Sequence, residues 1–207
     1  MAPVAHTLAS ADRRIDILKS AAAAFRRRGY HGASVDEIAS ALEMTKGNLY
    51  YYFRNKEEIL FACHEYSLDV LLALLENVQA ASSAPDVKLR TLVLAIVHLI
   101  IDELQGTALT LDLQALSPPL QRKVIARRDA FDHGLRAIIQ DGMDQGVFMP
   151  GDPKMAGFAV MGAVNWIAKW FDPAGPMTSD EIGRAFADYL VGGMGTKQPE
   201  SLDRAIG

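Results

Sequence analysis

Residues 45–60 read TKGNLYYYFRNKEEIL, in which three consecutive tyrosines, Tyr50, Tyr51 and Tyr52, stand between Leu49 and Phe53. In a helix each residue turns about 100° from the last, so three neighbours sweep about 200° and cannot all enter one core. At least one ring must face outward. On a helical wheel Leu49 and Phe53 fall together, one turn apart, with Thr45 near them, and this face is expected to pack inward. Gly47, Asn48, Tyr50, Tyr51 and Arg54 then point away, and Tyr52 lies at the boundary.

On the N-terminal side, Ile15, Leu18, Ala22 and Phe25 recur at helical spacing, and Gly29 follows three arginines where a helix end favours glycine after cations. Arg26, Arg27 and Arg28 read as the solvated, dipole-matched end of that first helix. Ser34 and Glu37 form an S-x-x-E capping box, with Val35, Ile38, Ala39 and Leu42 as one apolar stripe of a short second helix. Thr45 is expected to cap a third helix, running to about Tyr52. Asn55 with Glu58 repeats the cap-and-box and opens a long helix through Leu60, Cys63, Ser67, Leu71, Leu75 and Val78. Residues 34–52 thus have the dimensions of a helix-turn-helix, whose second helix enters the DNA major groove.

Toward the C-terminus, AASSAP (80–85) reads as a loop, and Asp86 is expected to cap a helix reaching about Gln105. TALTLDLQAL (107–116) reads as a further helix. Pro118 and Pro119 open, and Gly146 closes, a long one. Residues 154–171 and 179–194 complete the set, separated by the proline- and glycine-containing DPAGPMT. No period-2 strand pattern appears, so the fold class is all-α with about nine helices. The expected organisation is a DNA-binding domain over 1–56, with 1–11 as a flexible arm, and a second helical domain over 57–207.

Charge follows the same division. Net charge is −4, yet residues 1–56 hold nine Lys/Arg against five Asp/Glu and the remainder twelve against twenty. A basic first quarter on an acidic remainder suits a nucleic-acid module carried by a domain with another task. A single cysteine, Cys63, on an apolar stripe reads as an inert core thiol; with no pair for a disulfide and no charged-then-apolar leader, the chain fits a reducing cytoplasm. The apolar runs at 91–101 and 155–168 fall short of a bilayer span.

The outward residues of the third helix have the chemistry for DNA. Phenolic hydroxyls donate to phosphate oxygens and their rings rest on sugar or a thymine methyl. Gly47 has no side chain to hold the backbone off the groove wall. Asn48 can pair bidentately with adenine and Lys46 can donate to guanine, each worth about 1 to 3 kcal/mol of discrimination. Lys56 and the helix start at Ser34 are set to hold phosphates.

The segment GYHGASVDEIASALEMTKGNLYYYFRNKEEIL resembles the DNA-binding segment of the TetR family of bacterial repressors, from about Ile15 to Leu60, with Gly29, Val35, Ile38, Ala39, Gly47, Leu49, Tyr50, Phe53, Lys56 and Leu60 following the family spacing. The resemblance implies a homodimer that binds a palindromic operator and releases it when a small hydrophobic effector enters the C-terminal domain. It places Ser34, Thr45, Lys46, Gly47, Asn48, Tyr50, Tyr51, Tyr52 and Lys56 at DNA, the last two helices at the dimer seam, and 86–146 around the effector. The stretch AVNWIAKWFDPAGPMTSDEI (163–182) also resembles a subgroup that senses acyl-coenzyme A thioesters, which implies Asn165, Trp166, Lys169 and Trp170 as ligand residues. Lys169 departs from that pattern, since arginine is the better phosphate fork. Core or dimer seam is the competing reading of the two tryptophans.

An enzyme is the first rival class. The sequence has no G-x-S-x-G, Walker or dinucleotide-binding pattern, and His6, His31, His64, His98 and His133 never reach a metal-ligand spacing. No catalytic residue, cofactor or metal is therefore expected. Three further readings stay open: an activator, a ligand-unresponsive DNA-binding member of the same fold, and a non-catalytic helical ligand-binding protein.

Overall fold

The computed structural model describes residues 3–103 and 112–195. Among them are eight α-helices: α1 (Pro3–Gly32), α2 (Val35–Ser40), α3 (Lys46–Tyr52), α4 (Lys56–Ala80), α5 (Pro85–His98), α6 (Pro118–Asp144), α7 (Pro153–Trp170) and α8 (Ser179–Gly193). No strand occurs among the described residues; a lone antiparallel bridge joins Phe148 and Gly195. The all-α class stands, with eight helices against about nine. Most of the helix expected at 107–116 lies outside the described residues, and its described end is a 3₁₀ turn, Leu113–Ala115, capped by Asp112.

Contacts divide the chain into two compact units, residues 1–70 with 103–128 and residues 71–102 with 129–207, so α4 and α6 each contribute to both.

In the first unit the breaks between helices follow local chemistry. Gly29 adopts φ 69° and ψ 167° and ends the regular part of α1, a backbone region open essentially to glycine alone. Ser34 caps α2 by accepting from the Glu37 amide, and Thr45 caps α3 by accepting from the Asn48 amide. The core is apolar and closed. Ile17, Leu18, Ala21 and Phe25 of α1 are buried with Val35, Ile38 and Ala39 of α2, with Leu49 and Phe53, and with Ile59, Leu60 and Cys63 of α4. Each large side chain removed from water in this way contributes about 1.5 to 3 kcal/mol. Ser67 is buried too, and its hydroxyl donates to the Cys63 carbonyl at 2.9 Å. Burial pushes the Cys63 thiol up to about 12, so it stays protonated and inert.

The second unit rests on α5 against α8. Leu89, Leu92, Val93 and Ile96 are buried, as are Ile182, Ala187 and Val191, and Arg90 pairs with Asp188 beside them. The helices meet closely at Gly183, where a Cβ would fall 2.5 Å from Leu94 Cδ1. Gly142 makes similar room for the buried Phe148 ring. Thr178 and Glu181 form a complete capping box at the start of α8.

From Pro3 the backbone of the 1–11 arm is helical and continuous with α1, a state that its four alanines favour. Three local expectations are corrected. Asp86 is not a cap: Pro85 occupies the first turn, where its missing N–H costs nothing, and Ala84 precedes it without a side-chain cap bond. α5 closes at His98, and a π turn, Leu99–Glu103, follows. The two sequence boxes close only in half. The Glu37 carboxylate meets Arg27 and Arg28 at 3.1 and 3.4 Å, and Glu58 accepts from the Arg54 amide at 2.6 Å, one residue before the Asn55 cap. In each case a nearby cationic or free amide donor attracts the carboxylate more than the cap residue's own N–H.

Candidate nucleic-acid interface

The stripe expected of α3 is realised. Leu49 and Phe53 are 0% and 1% exposed, whereas Tyr51 is 82% and Tyr50 41% exposed. Asn48, Gly47, Lys46 and Thr45 are exposed, and Tyr52 is half-buried. A Cβ on Gly47 would meet only Thr45 Oγ1 at 3.8 Å, so no internal contact calls for glycine there. The Tyr51 and Tyr52 rings meet edge to face at 5.3 Å. Arg13, Glu43, Met44, Asn48, Tyr51 and Tyr52 line a shallow cleft of about 290 Å³ along this face.

α1 braces that face from behind. Arg13 donates to the Leu42 carbonyl and Arg14 to the Tyr52 carbonyl, each at 3.0 Å. The turn between α2 and α3 is strained at Glu43, a non-glycine residue at φ 55°.

Two expected DNA residues are engaged within the chain. The Lys46 ammonium lies 2.9 Å from Asp36 Oδ2, a hydrogen-bonded pair that raises its pKa. Lys56 donates to the Ala33 carbonyl at 2.8 Å and rests 4.4 Å from the centre of the Tyr30 ring. It therefore ties α4 to the start of α2, next to Ser34, and an ammonium has three donors, so capacity for a phosphate remains. Sequence reasoning missed Asp36, Arg13, Arg14 and Tyr30; their partners lie ten to thirty-nine residues away, beyond any helical period.

The residues assigned to a ligand belong to the second unit. On α7, Trp166 is 64% and Trp170 46% exposed, which removes the core reading for both. Lys169 is exposed, Trp170 stacks on Phe186 at 6.3 Å, and Asn165 Oδ1 is buried without a hydrogen-bond partner. Elsewhere, on α4, His64 is 1% exposed, with Nδ1 3.4 Å from Arg128 Nη2. Arginine only donates, so Nδ1 accepts and the proton sits on Nε2, a buried donor with no acceptor. Burial, then the Arg128 charge, pushes His64 down to about 4. Among the described residues no group of three or more His, Cys, Asp or Glu could hold a metal, and no helix is long and apolar enough to cross a membrane.

Comparison with known proteins gives two family matches: residues 17–63 to "Bacterial regulatory proteins, tetR family" and residues 82–194 to "Tetracyclin repressor-like, C-terminal domain". The HTH-type transcriptional repressor KstR2 of Mycobacterium tuberculosis is 25% identical over 185 residues, 88% of this chain and 92% of that protein. The crystal structure of the regulator PfmR from Thermus thermophilus superimposes with a TM-score of 0.76 at 36% identity, over 88% of this chain and 99% of that one. AibR, solved in complex with isovaleryl coenzyme A and operator DNA, does so with a TM-score of 0.74 at 32% identity, over 88% and 97%.

Proposed function

Because the chain belongs to the TetR family and is a DNA-binding transcriptional regulator, we propose that it is a homodimeric repressor whose residues 1–56 bind a palindromic operator and whose residues 57–207 dimerise and take the effector. The observation that carries the DNA half is the inversion on α3: leucine and phenylalanine claim the interior, and two tyrosines, an asparagine and a bare glycine are left outward. Asn48 reads adenine, Lys46 reads guanine after leaving Asp36, and Tyr50, Tyr51 and Tyr52 hold phosphate and sugar around Gly47. Thr45 fixes the start of α3, while Ser34 and Lys56 hold the flanking phosphates.

The dimer reading is supported by an unusual surface. Met155, Phe158 and Trp166 stand exposed along α7 and Tyr189 on α8, and at Gly162, Gly192 and Gly193 a Cβ would have open space. Large apolar side chains exposed along one helix are the kind of surface that a second chain covers. For the effector, an acyl-coenzyme A thioester is favoured by the likeness to AibR and by the unpaired Asn165 Oδ1 beside Trp166, with Lys169 and Trp170 one turn on.

Three experiments test these readings. Gel shifts with the upstream intergenic DNA at rising salt should show affinity falling with salt, and Tyr51→Ala should weaken binding about tenfold while leaving thermal stability unchanged. Salt-insensitive or absent binding would count against an operator. Titration of isovaleryl and longer acyl-coenzyme A thioesters should raise the melting temperature and release the DNA. No response to any of them removes the thioester. Deleting the gene separates repression from activation: target expression rises in the first case and falls in the second.

A further inference from the structure

The two reading helices and their turn are acidic. Residues 34–52 hold Asp36, Glu37 and Glu43 against Lys46 alone, three negative charges and one positive, net −2. Glu37 is neutralised from behind by Arg27 and Arg28. Lys46 is engaged in the open: its ammonium is 2.9 Å from Asp36 Oδ2, and the two side chains are 49% and 64% exposed. A surface pair of this kind adds only about 0 to 1 kcal/mol to folding. It does, however, set a carboxylate on the face that meets a polyanion, which opposes binding unless the carboxylate finds a donor there.

We propose that Asp36 and Lys46 act as a reading couple for one G·C base pair in each half-site, with Asp36 the specificity-determining residue. The inference rests on the operator-binding reading above. In the major groove a G·C pair presents guanine N7 and O6, both acceptors, beside the amino donor on cytosine N4. An ammonium and a carboxylate side by side are its complement. On the matching pair Lys46 turns to guanine and Asp36 accepts from cytosine, so both charges are satisfied. An A·T pair in that register sets thymine O4 and its methyl group against the carboxylate. On unrelated DNA, Asp36 has no donor, holds Lys46 away from the phosphates and repels the backbone.

The test is random-sequence selection with the full chain, Asp36→Ala and Asp36→Asn, followed by binding isotherms at several salt concentrations on selected and scrambled duplexes. The unaltered chain should select a palindrome with a fixed G·C pair in each half. Asp36→Ala should lose about tenfold of discrimination at that pair, and Asp36→Asn, which keeps an acceptor, should lose less. Both should bind scrambled DNA more tightly and steepen the slope of log K against log salt by about 0.9 per protomer, as the released Lys46 takes a phosphate. Unchanged base preference and slope in Asp36→Ala overturn the couple, as does an A·T pair at the position that Asp36→Ala relaxes. If the unaltered chain selects no palindrome, the operator-binding reading fails and the couple with it, a result distinct from the other two.

Discussion

The guanidinium of Arg14 lies 4.2 Å from the centre of the Phe53 ring, and its Nη1 donates to the Tyr52 carbonyl at 3.0 Å. One side chain of α1 thus holds both the last inward residue of the reading helix and the backbone beside its outward tyrosines. A solvent-exposed cation over a ring contributes about 0.5 to 1 kcal/mol and the hydrogen bond about as much. Arg14→Ala should therefore lower unfolding free energy by about 1 to 2 kcal/mol in urea denaturation. Operator affinity should fall by more than that loss alone requires, because α3 is then less well oriented. Arg14→Lys should recover only part, since a lysine cannot stack and donate in the same plane.

Glu43 sits in the turn between α2 and α3 at φ 55°, where a side chain with a Cβ costs about 1 to 2 kcal/mol. Glycine adopts that conformation freely, although it loses more entropy on folding. Glu43→Gly should on balance raise the unfolding free energy by about 1 kcal/mol, read as a higher urea midpoint at constant slope. It also removes a carboxylate from the cleft shared by Asn48 and Tyr51, so non-specific DNA binding should tighten. A lower midpoint would mean the Glu43 side chain makes a contact worth more than the backbone strain.

Trp166 tests the seam. Exposed to 64% on α7, it is the largest apolar side chain of the proposed dimer face. Central tryptophans at interfaces cost about 2 kcal/mol or more on truncation. Sedimentation of Trp166→Ala should show dimer affinity weakened about thirtyfold or more, with the helix content of each chain kept. Gly162→Ala offers a control in the opposite sense. Nothing within the chain lies within 4 Å of the added Cβ, so the helix should gain stability while any partner packed there is displaced. A Trp166→Ala dimer as tight as the original would remove α7 from the seam.

What could be read in advance was whatever repeats with the helical period or sits at a helix end. The Leu49 and Phe53 stripe, the α4 series from Leu60 to Val78, and the caps Ser34, Thr45 and Asn55 all act over three or four residues, and each formed where its spacing put it. The engagements of charged side chains were not legible. Lys46 with Asp36, Lys56 with the Ala33 carbonyl and Arg14 with Phe53 join residues that only the folded chain makes neighbours. The exposure of Trp166 was ambiguous for a related reason: an apolar stripe has the same period whether it faces a core or a second chain.

His64 gives the chain a dependence on pH between neutrality and mild acid. Buried on α4 beside Arg128, the imidazole is held neutral, its pKa pushed from 6.5 down to about 4, by burial first and the guanidinium second. The unfolded chain binds a proton between those two values and the folded chain does not. Stability from this group is therefore fully present above about pH 6.5 and is lost as pH falls toward 4. The loss is about 2 kcal/mol by pH 5 and about 3 kcal/mol once both states are protonated. Urea denaturation at about pH 7 and about pH 5 should show that difference in the unaltered chain, and His64→Leu should remove it. The same variant should be at least as stable as the original at about pH 7, because it deletes a buried Nε2 donor that has no acceptor. If His64→Leu is destabilised near neutral pH and keeps the full acid dependence, the imidazole is a satisfied structural group and the titration lies elsewhere.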